Sequence, residues 1–344
     1  MNKSSVAGYM NPLRLELIVF PTEQCNFRCT YCYEDFEIGQ MKDSTVNAIK
    51  KLILNRLPSL KYFKISWFGG EPLLAKKIVI ELNEFAQREC GIAGVIFKSE
   101  MTTNAFALNL NTFNNLVKLD VLHYQISLDG DEEEHDKTRK MASGRGSFSK
   151  IWSNLLSMRE NDAKYHIRLR LHIHHNNVES IKSLLKKINA EFGNDPRFTI
   201  AMKAVGNWGG TTVKSMSLMK SADEVIDDLN VQLKRMGWFL ARPSLETSNV
   251  FSPCYAAKPN SFVIRADGKL GKCTVALSDT RNSIGHINDD GTLFIENEKM
   301  RTFMRGFQSL DENALHCPMH DMPKIDDVKI IKFEKRVDVN VVST

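Results

Sequence analysis

The chain has 344 residues, a formal net charge of +5, 42% hydrophobic and 25% charged residues, which is an ordinary globular composition with enough length to bury a sizeable core. Lysine and arginine are spread along the chain, which gives nucleic-acid binding no support, and the apolar stretches fall short of the roughly 20 residues that a membrane span needs. The start of the chain lacks a signal-peptide core, and seven cysteines in an unsecreted chain argue against a disulfide framework, so a cytoplasmic location is expected.

Leu15 to Phe20, rich in Leu, Ile and Val, reads as a buried strand. Ser44 stands in N-cap position before a helix from Thr45 to Leu57, where Val46, Ile49, Leu52 and Ile53 recur at helical spacing and Pro58 closes the run. Strands follow at Tyr62 to Phe68, Gly94 to Thr102, Val121 to Leu128, Ile167 to His174 and Phe198 to Ala204. Helices separate them at Lys76 to Arg88, Asn111 to Leu119, Ser147 to Arg159 and Val178 to Phe192. This alternation predicts an α/β fold with parallel βα units, a partial (β/α)6 TIM-like barrel. After a helical stretch near Asp223 to Met236 the character changes, with Pro253, Pro259 and a hairpin from Phe262 to Leu270 that turns at Asp267-Gly268. A domain boundary near 240 is expected, giving a barrel over 1–240 and a small cysteine-containing domain over 241–344.

Barrels of this kind build their sites at the C-terminal ends of the strands, and polar, glycine-rich stretches gather there. After the first strand come Cys25, Cys29 and Cys32 at C-x3-C-x2-C spacing. Three thiolates on one short loop can hold three corners of a [4Fe-4S] cluster and leave the fourth iron without a protein ligand. The competing reading is half of a zinc site, but structural zinc is closed by four ligands and no second pair lies nearby. Gly69-Gly70-Glu71-Pro72 follows the second strand, where glycines let a ligand approach the backbone and Glu71 can accept from an ammonium group. The fourth strand ends in Ser127-Leu128-Asp129-Gly130, and the stretch that runs on through His135 and Arg139 to Phe148 reads as a polar loop, capped by Ser147 before the next helix. Cys90 sits near a helix end without a ligand partner in spacing and is expected to be structural.

The cysteine loop, with the aromatic Tyr31 before its last cysteine, resembles the signature of the radical S-adenosylmethionine (SAM) enzymes. The resemblance implies a [4Fe-4S] cluster on Cys25, Cys29 and Cys32, SAM chelated to the open iron, and one-electron cleavage of SAM to methionine and a 5′-deoxyadenosyl radical. It implies that Gly69, Gly70 and Glu71 hold the SAM amino group and that Tyr31 belongs to the cofactor pocket. The order of residues from Ser127 through Arg139 to Phe148 is similar to peptide- and protein-modifying members, including the anaerobic sulfatase maturases. Ser127 and Arg139 match positions which that family uses to contact SAM, and a guanidinium fork suits a carboxylate. Thr103 and Asn104 match a rim position that faces SAM or substrate.

In the tail, Cys254 and Gly268-Lys269-Leu270-Gly271-Lys272-Cys273 form a C-x13-G-x4-C pattern, which resembles the opening of the SPASM and twitch extensions that hold auxiliary iron–sulfur clusters. A full extension carries more cysteines, whereas here only Cys317 follows, in Cys317-Pro318-Met319-His320. Three thiolates can support one auxiliary cluster with its last corner open or on His320. Isolated thiols, or a zinc site closed by His320, are the alternatives.

The resemblance implies an enzyme that abstracts hydrogen from a residue of a peptide or protein, with maturation of a ribosomally made peptide by cross-linking, thioether formation or epimerisation as the expected role. Formylglycine formation ranks second, because the sulfatase maturases place an acidic base directly after the G-x4-C cysteine and Thr274 stands there in this chain. A non-catalytic iron–sulfur or zinc module would have lost the SAM-contact residues, which are retained. The expected partners are the peptide or protein substrate, a one-electron donor such as flavodoxin or ferredoxin, and a separate recognition protein, since the segment before Leu15 is too short for a leader-peptide-binding domain.

Overall fold

A computed structural model describes residues 8–209, 213, 216, 218–219, 221–238 and 252–323. Six strands run in chain order: β1 (Arg14–Val19), β2 (Tyr62–Trp67), β3 (Ile96–Thr103), β4 (Val121–Leu128), β5 (His166–Ile173) and β6 (Phe198–Ala204). Each pairs in parallel with the next, as a partial TIM barrel requires. The connections carry α1 (Asp43–Arg56), α2 (Lys76–Ala93), α3 (Leu110–Lys118), α4 (Glu132–Thr138), α5 (Phe148–Arg159) and α6 (Val178–Phe192), with α7 (Ala222–Arg235) after β6.

The strands alternate with a period of two, and the alternation separates core from lumen. On β5, Ile167, Leu169, Leu171 and Ile173 are fully buried beneath the helices, while His166, Arg168, Arg170 and His172 line an internal cavity. The helices answer with apolar stripes: Ile78, Val79, Leu82 and Ala86 on α2, and Ile181, Leu184, Leu185 and Ile188 on α6. Each fully buried Leu, Ile or Val contributes about 1.5–3 kcal/mol. Cys90 lies in this core, inside α2.

The C-terminal region continues the same sheet. Strand β7 (Ser261–Ile264) pairs in parallel with β1, and β8 (Lys269–Gly271), β9 (Gly285–Ile287) and β10 (Leu293–Ile295) follow antiparallel, giving the order β10-β9-β8-β7-β1-β2-β3-β4-β5-β6. Three short helices, α8 (Asn297–Phe303), α9 (Arg305–Ser309) and α10 (Glu312–His316), lead to Cys317. The boundary expected near 240 falls within residues 239–251, outside the described residues.

Several expected boundaries shift. Ser44 is not the cap of α1: the helix starts at Asp43, with extended Lys42 before it and no side-chain cap, and Asp43 supplies negative charge at the helix N-terminus. Helix α2 runs on to Ala93 and stops at Gly94, whose positive φ of 66° makes it a helix cap and not the first residue of a strand. Ser147 precedes α5 but makes no side-chain cap bond; Asp136 Oδ1 instead accepts the N–H groups of Ser147 and Phe148, at 2.8 and 2.9 Å. Helix α4 was expected as loop, because its sequence, EEEHDKT, has no apolar periodicity and its buried face is His135 and Thr138.

Candidate active site

Strand β1 delivers the chain into the cysteine loop, which neighbouring segments clamp on three sides. Arg28 N–H bonds Lys140 O and Thr30 N–H bonds Thr138 O, each at 2.9 Å. The buried Glu23 carboxylate accepts from Arg265 Nε at 3.1 Å and from Ala266 N–H at 3.3 Å, tying the loop to the hairpin after β7. On the third side, Glu71 N–H bonds Gln24 O at 2.9 Å. A Cβ on Gly69 or Gly70 would run into the backbone carbonyls of Thr22 and Gln24, and Gly69 has a φ of 110°. Glycines here let the turn after β2 lie against the stem of the cysteine loop.

Cys25, Cys29 and Cys32 all open into one cavity of about 1020 Å³. Burial, the largest cause, pushes the Cys25 and Cys32 thiols up to about 12, with the charges of Glu71 and of the other two thiols contributing to the rise at Cys25. Burial also raises Cys29, against the pull of Arg139. Iron binding would release a proton from each. Phe27 N–H points at Cys25 Sγ at 3.3 Å, and N–H donors to sulfur are a feature of cluster sites. Among the described residues no three His, Cys, Asp or Glu side chains converge as they would around one metal ion; a cubic cluster, with each thiolate on a different iron, does not require it.

Beside the thiols runs a buried network that the sequence reading did not find. Tyr31 O–H donates to Asp129 Oδ2 at 2.7 Å, and Tyr31 Oη accepts from Arg139 Nη1 at 2.8 Å. Thr138 Oγ1 donates to Asp129 Oδ2 at 2.8 Å, and His172 Nδ1 lies 3.2 Å from Oδ1. Burial alone would raise the Asp129 carboxyl, but the His172 hydrogen bond and the Arg139 charge outweigh it and hold the group well below the usual carboxylate range. An ionised carboxylate only accepts, so burial-neutralised His172 carries its proton on Nδ1. Asn177 Nδ2 donates to the carbonyls of Asp129 and His172, at 2.7 and 2.8 Å, and locks β4 to β5. A second relay fixes the Arg139 backbone. Asp129 N–H reaches His135 Nδ1, so His135 Nε2–H faces Ser147 Oγ at 3.1 Å, and Ser147 Oγ donates to Arg139 O at 2.7 Å. Burial holds His135 down to about 4.

The expected site residues are placed as follows. Tyr31, Gly69, Gly70, Asn104, Ser127 and Arg139 line the cavity with the three cysteines. Asn104 Nδ2 bonds Asn26 Oδ1 at 2.8 Å within the cysteine loop. Glu71 is fully buried, and its oxygens already accept from Leu73 N–H, Thr103 Oγ1 and Asn104 N–H at 3.0, 2.7 and 2.7 Å. It therefore acts as a strut between the Gly-Gly turn and β3, and the backbone of the two glycines is what this turn presents to the cavity. Cys254, Thr274 and Cys317 reach the same cavity from the C-terminal side. Cys254, Cys273 and Cys317 are close enough for Cys273 and Cys317 to raise the Cys254 thiol, although burial is the larger cause. Asn282 shapes this second thiol turn: its Oδ1 accepts from Lys272 and Cys273 N–H, and its Nδ2 donates to Cys273 O. His320 is largely exposed and pairs with Asp321 at 3.0 Å. Glu34, which no motif flagged, lines the cavity with both carboxylate oxygens unpartnered, and burial pushes it up to about 8.

The residues present fit the groups that the cysteine pattern implies. Three thiols share one cavity, two glycines leave backbone room, and the Arg139 Nε has no hydrogen-bond partner although it is buried. The volume is at the upper end for ligand pockets, about 300–1,000 Å³, and so can hold SAM together with part of a second molecule.

Comparison with known proteins agrees. Residues 19–188 match the family described as the Radical SAM superfamily. The Fe-coproporphyrin III synthase of Methanosarcina barkeri is 28% identical over 170 residues, which is 49% of this chain and 40% of that protein. The cysteine-type anaerobic sulfatase-maturating enzyme of Clostridium novyi is 28% identical over 167 residues, 44% of this chain and 42% of that protein. The chain thus spans about two fifths of the length of these relatives. Among solved structures, native anSMEcpe with bound AdoMet and Kp18Cys peptide superposes with a TM-score of 0.68 at 18% identity, covering 85% of this chain and 84% of that one. Streptococcus suis SuiB bound to precursor peptide SuiA gives a TM-score of 0.55 at 17% identity, covering 80% of this chain and 64% of that one. At these identities the likeness is one of fold, and it extends through the C-terminal antiparallel region. By its matched barrel segment and the cysteine loop that segment carries, the chain belongs to the radical SAM superfamily.

Proposed function

We propose that the chain cleaves SAM reductively and abstracts hydrogen from a residue of a peptide or protein substrate, maturing a ribosomally made peptide by cross-linking, thioether formation or epimerisation. The observation that carries this reading is one cavity lined by Cys25, Cys29 and Cys32 from the barrel and by Cys254 and Cys317 from the C-terminal region. When bound, a cluster and SAM supply a 5′-deoxyadenosyl radical, the hard chemistry of the reaction.

The chain's own residues hold and orient. Cys25, Cys29 and Cys32 would ligate the SAM-binding cluster, and Cys254, Cys273 and Cys317 one auxiliary iron–sulfur cluster. Gly69 and Gly70 leave backbone room for the SAM amino group, while Ser127 and Arg139 offer donors to its carboxylate. Tyr31, fixed between Arg139 and Asp129, keeps that guanidinium in place. Phe27, Trp67, Phe68 and Met101 in the lining reduce the polar surface around a reactive radical. A one-electron donor such as flavodoxin or ferredoxin would reduce the cluster. Solved structures of similar fold with bound peptides support a peptide substrate.

Formylglycine formation is disfavoured because Thr274, where a base would be needed, is a hydroxyl bonded to Tyr255 Oη at 2.7 Å. The test is anaerobic reconstitution with a reductant and SAM, followed by mass analysis of a short peptide encoded beside the gene after co-expression. Wild type should form 5′-deoxyadenosine and change the peptide mass. Cys29→Ala should do neither, since two thiolates cannot keep an open-iron cluster. Wild-type rates of 5′-deoxyadenosine formation by Cys29→Ala would refute the reading.

A further inference from the structure

We infer that Arg168, Arg170 and Lys203 form an anion-binding wall that receives a carboxylate of the peptide substrate, an inference that rests on the peptide-maturing reading above. Arg168 and Arg170 are two apart on β5 and so project from the same face, about 7 Å from one another along the strand. Lys203 stands on β6 in register with His172. All three line the cavity, and Arg170 is in register with Ser127, so the wall begins beside the position matched to SAM and continues toward β6.

These cations differ from the others around the cavity in lacking any counter-charge. Arg139, which also lines the cavity, is bound to Tyr31 within the Asp129 network, and outside the lining Lys64 is neutralised by Glu16 and Glu100, at 2.6 and 3.0 Å, and Arg265 by Glu23. Among the described residues, Arg168, Arg170 and Lys203 have no side-chain hydrogen bond or ion pair, and the unpartnered oxygens of Glu34 reach none of them. Burial, and then the like charges of Arg139 and Arg168, push Arg170 below its ordinary value even against nearby tyrosines. Arg168 and Lys203 are exposed, but Arg170 is half-buried, where an unpaired guanidinium is costly, and an incoming carboxylate relieves that cost through two parallel N–H···O bonds. The carboxylate can be an Asp or Glu side chain or the peptide C-terminus.

The test uses anaerobically reconstituted full-length protein with SAM and two pools of synthetic hexapeptides. In one pool every member has an amidated C-terminus and carries either Glu or Gln at one position; in the other, Gln-containing members have either free or amidated C-termini. Bound peptides are recovered by rapid gel filtration and counted by mass spectrometry. Wild type should retain acidic members about tenfold or more over their neutral counterparts, and the pool that shows the preference identifies a side-chain or C-terminal carboxylate. Arg168→Gln/Arg170→Gln should bring the ratio to about one with iron content and labelled-SAM binding unchanged. Lys203→Gln, an exposed change on another strand, should lower it several-fold and decides the matter if the double variant fails to fold. No acidic preference in wild type, or a preference that survives in these variants, overturns the inference. Loss of SAM binding in the folded double variant also overturns it, by assigning the arginines to the SAM carboxylate. Wild-type protein that binds no SAM would instead sink the peptide-maturing reading itself.

Discussion

Asp129→Asn probes the buried network that holds the cavity's charged side chains. The carboxylate accepts three side-chain hydrogen bonds, from Tyr31, Thr138 and His172. An asparagine of the same shape must put an N–H2 group at one oxygen position. The Oδ2 position faces both Tyr31 and Thr138, so the amide nitrogen will take the Oδ1 side, and His172 must move its proton to Nε2 in order to accept. All three contacts then survive as neutral bonds. A hydrogen bond to a charged group contributes about 1.5–3 kcal/mol and a neutral one about 0.5–1.5, so the loss is about 1 kcal/mol each and about 3 kcal/mol together. With roughly 2–4 °C per kcal/mol for a chain of this size class, the midpoint of thermal unfolding at pH 7 should fall by roughly 6–12 °C. SAM affinity should weaken with it, because Tyr31 then holds Arg139 less firmly. The sign with pH follows from the depressed carboxyl. Its contribution is complete above the unfolded value near 3.9 and is lost only as pH falls through the still lower folded value. The gap between wild type and variant should therefore stay open, without closing, from about pH 8 to about pH 5. Circular dichroism melts across that range decide it, and equal midpoints at pH 7, or a gap that closes above pH 5, would refute the reasoning.

His135 should govern a different acid limb. Buried and neutral with a folded value of about 4, it loses stability as pH falls from the unfolded value near 6.5 toward 4, and His135→Gln should flatten the denaturation midpoint against pH by about one proton in that window. The triple change of Cys254, Cys273 and Cys317 to Ala should lower reconstituted iron from about eight to about four per chain, and an unchanged count would eliminate the auxiliary cluster. Incubated with a sulfatase-derived Cys-x-Pro-x-Arg peptide, the enzyme should give no aldehyde detectable with a hydrazine probe; efficient formylglycine formation would show that a residue other than Thr274 supplies the base.

The six βα units were legible because each strand and helix buries an apolar face whose period, two or 3.6, is written locally in residues such as Leu15, Leu17 and Val19 or Ile181, Leu184 and Leu185. The thiol loop was legible because its three cysteines sit within eight residues, Cys25 to Cys32. Helix α4 was not, since its buried side chains are polar and are satisfied by partners on other elements. The same limit hid the site's supports. Tyr31, Asp129, Arg139 and His172 are separated by up to 141 residues and become one network only when β4 and β5 align with the cysteine loop. Glu71, read as a ligand from its motif, is a strut because β3 brings Thr103 and Asn104 against it.

Residue order and spacing alone thus determined the barrel and the three-cysteine loop, both of which depend on neighbours in the chain. Tertiary structure decided what those elements face: β7 beside β1, which brings Cys254 and Cys317 to the same cavity as Cys25, and a lumen wall with Arg168, Arg170 and Lys203 unpaired. Pairing and burial of a charge depend on distances between remote segments, and a local pattern carries no record of them.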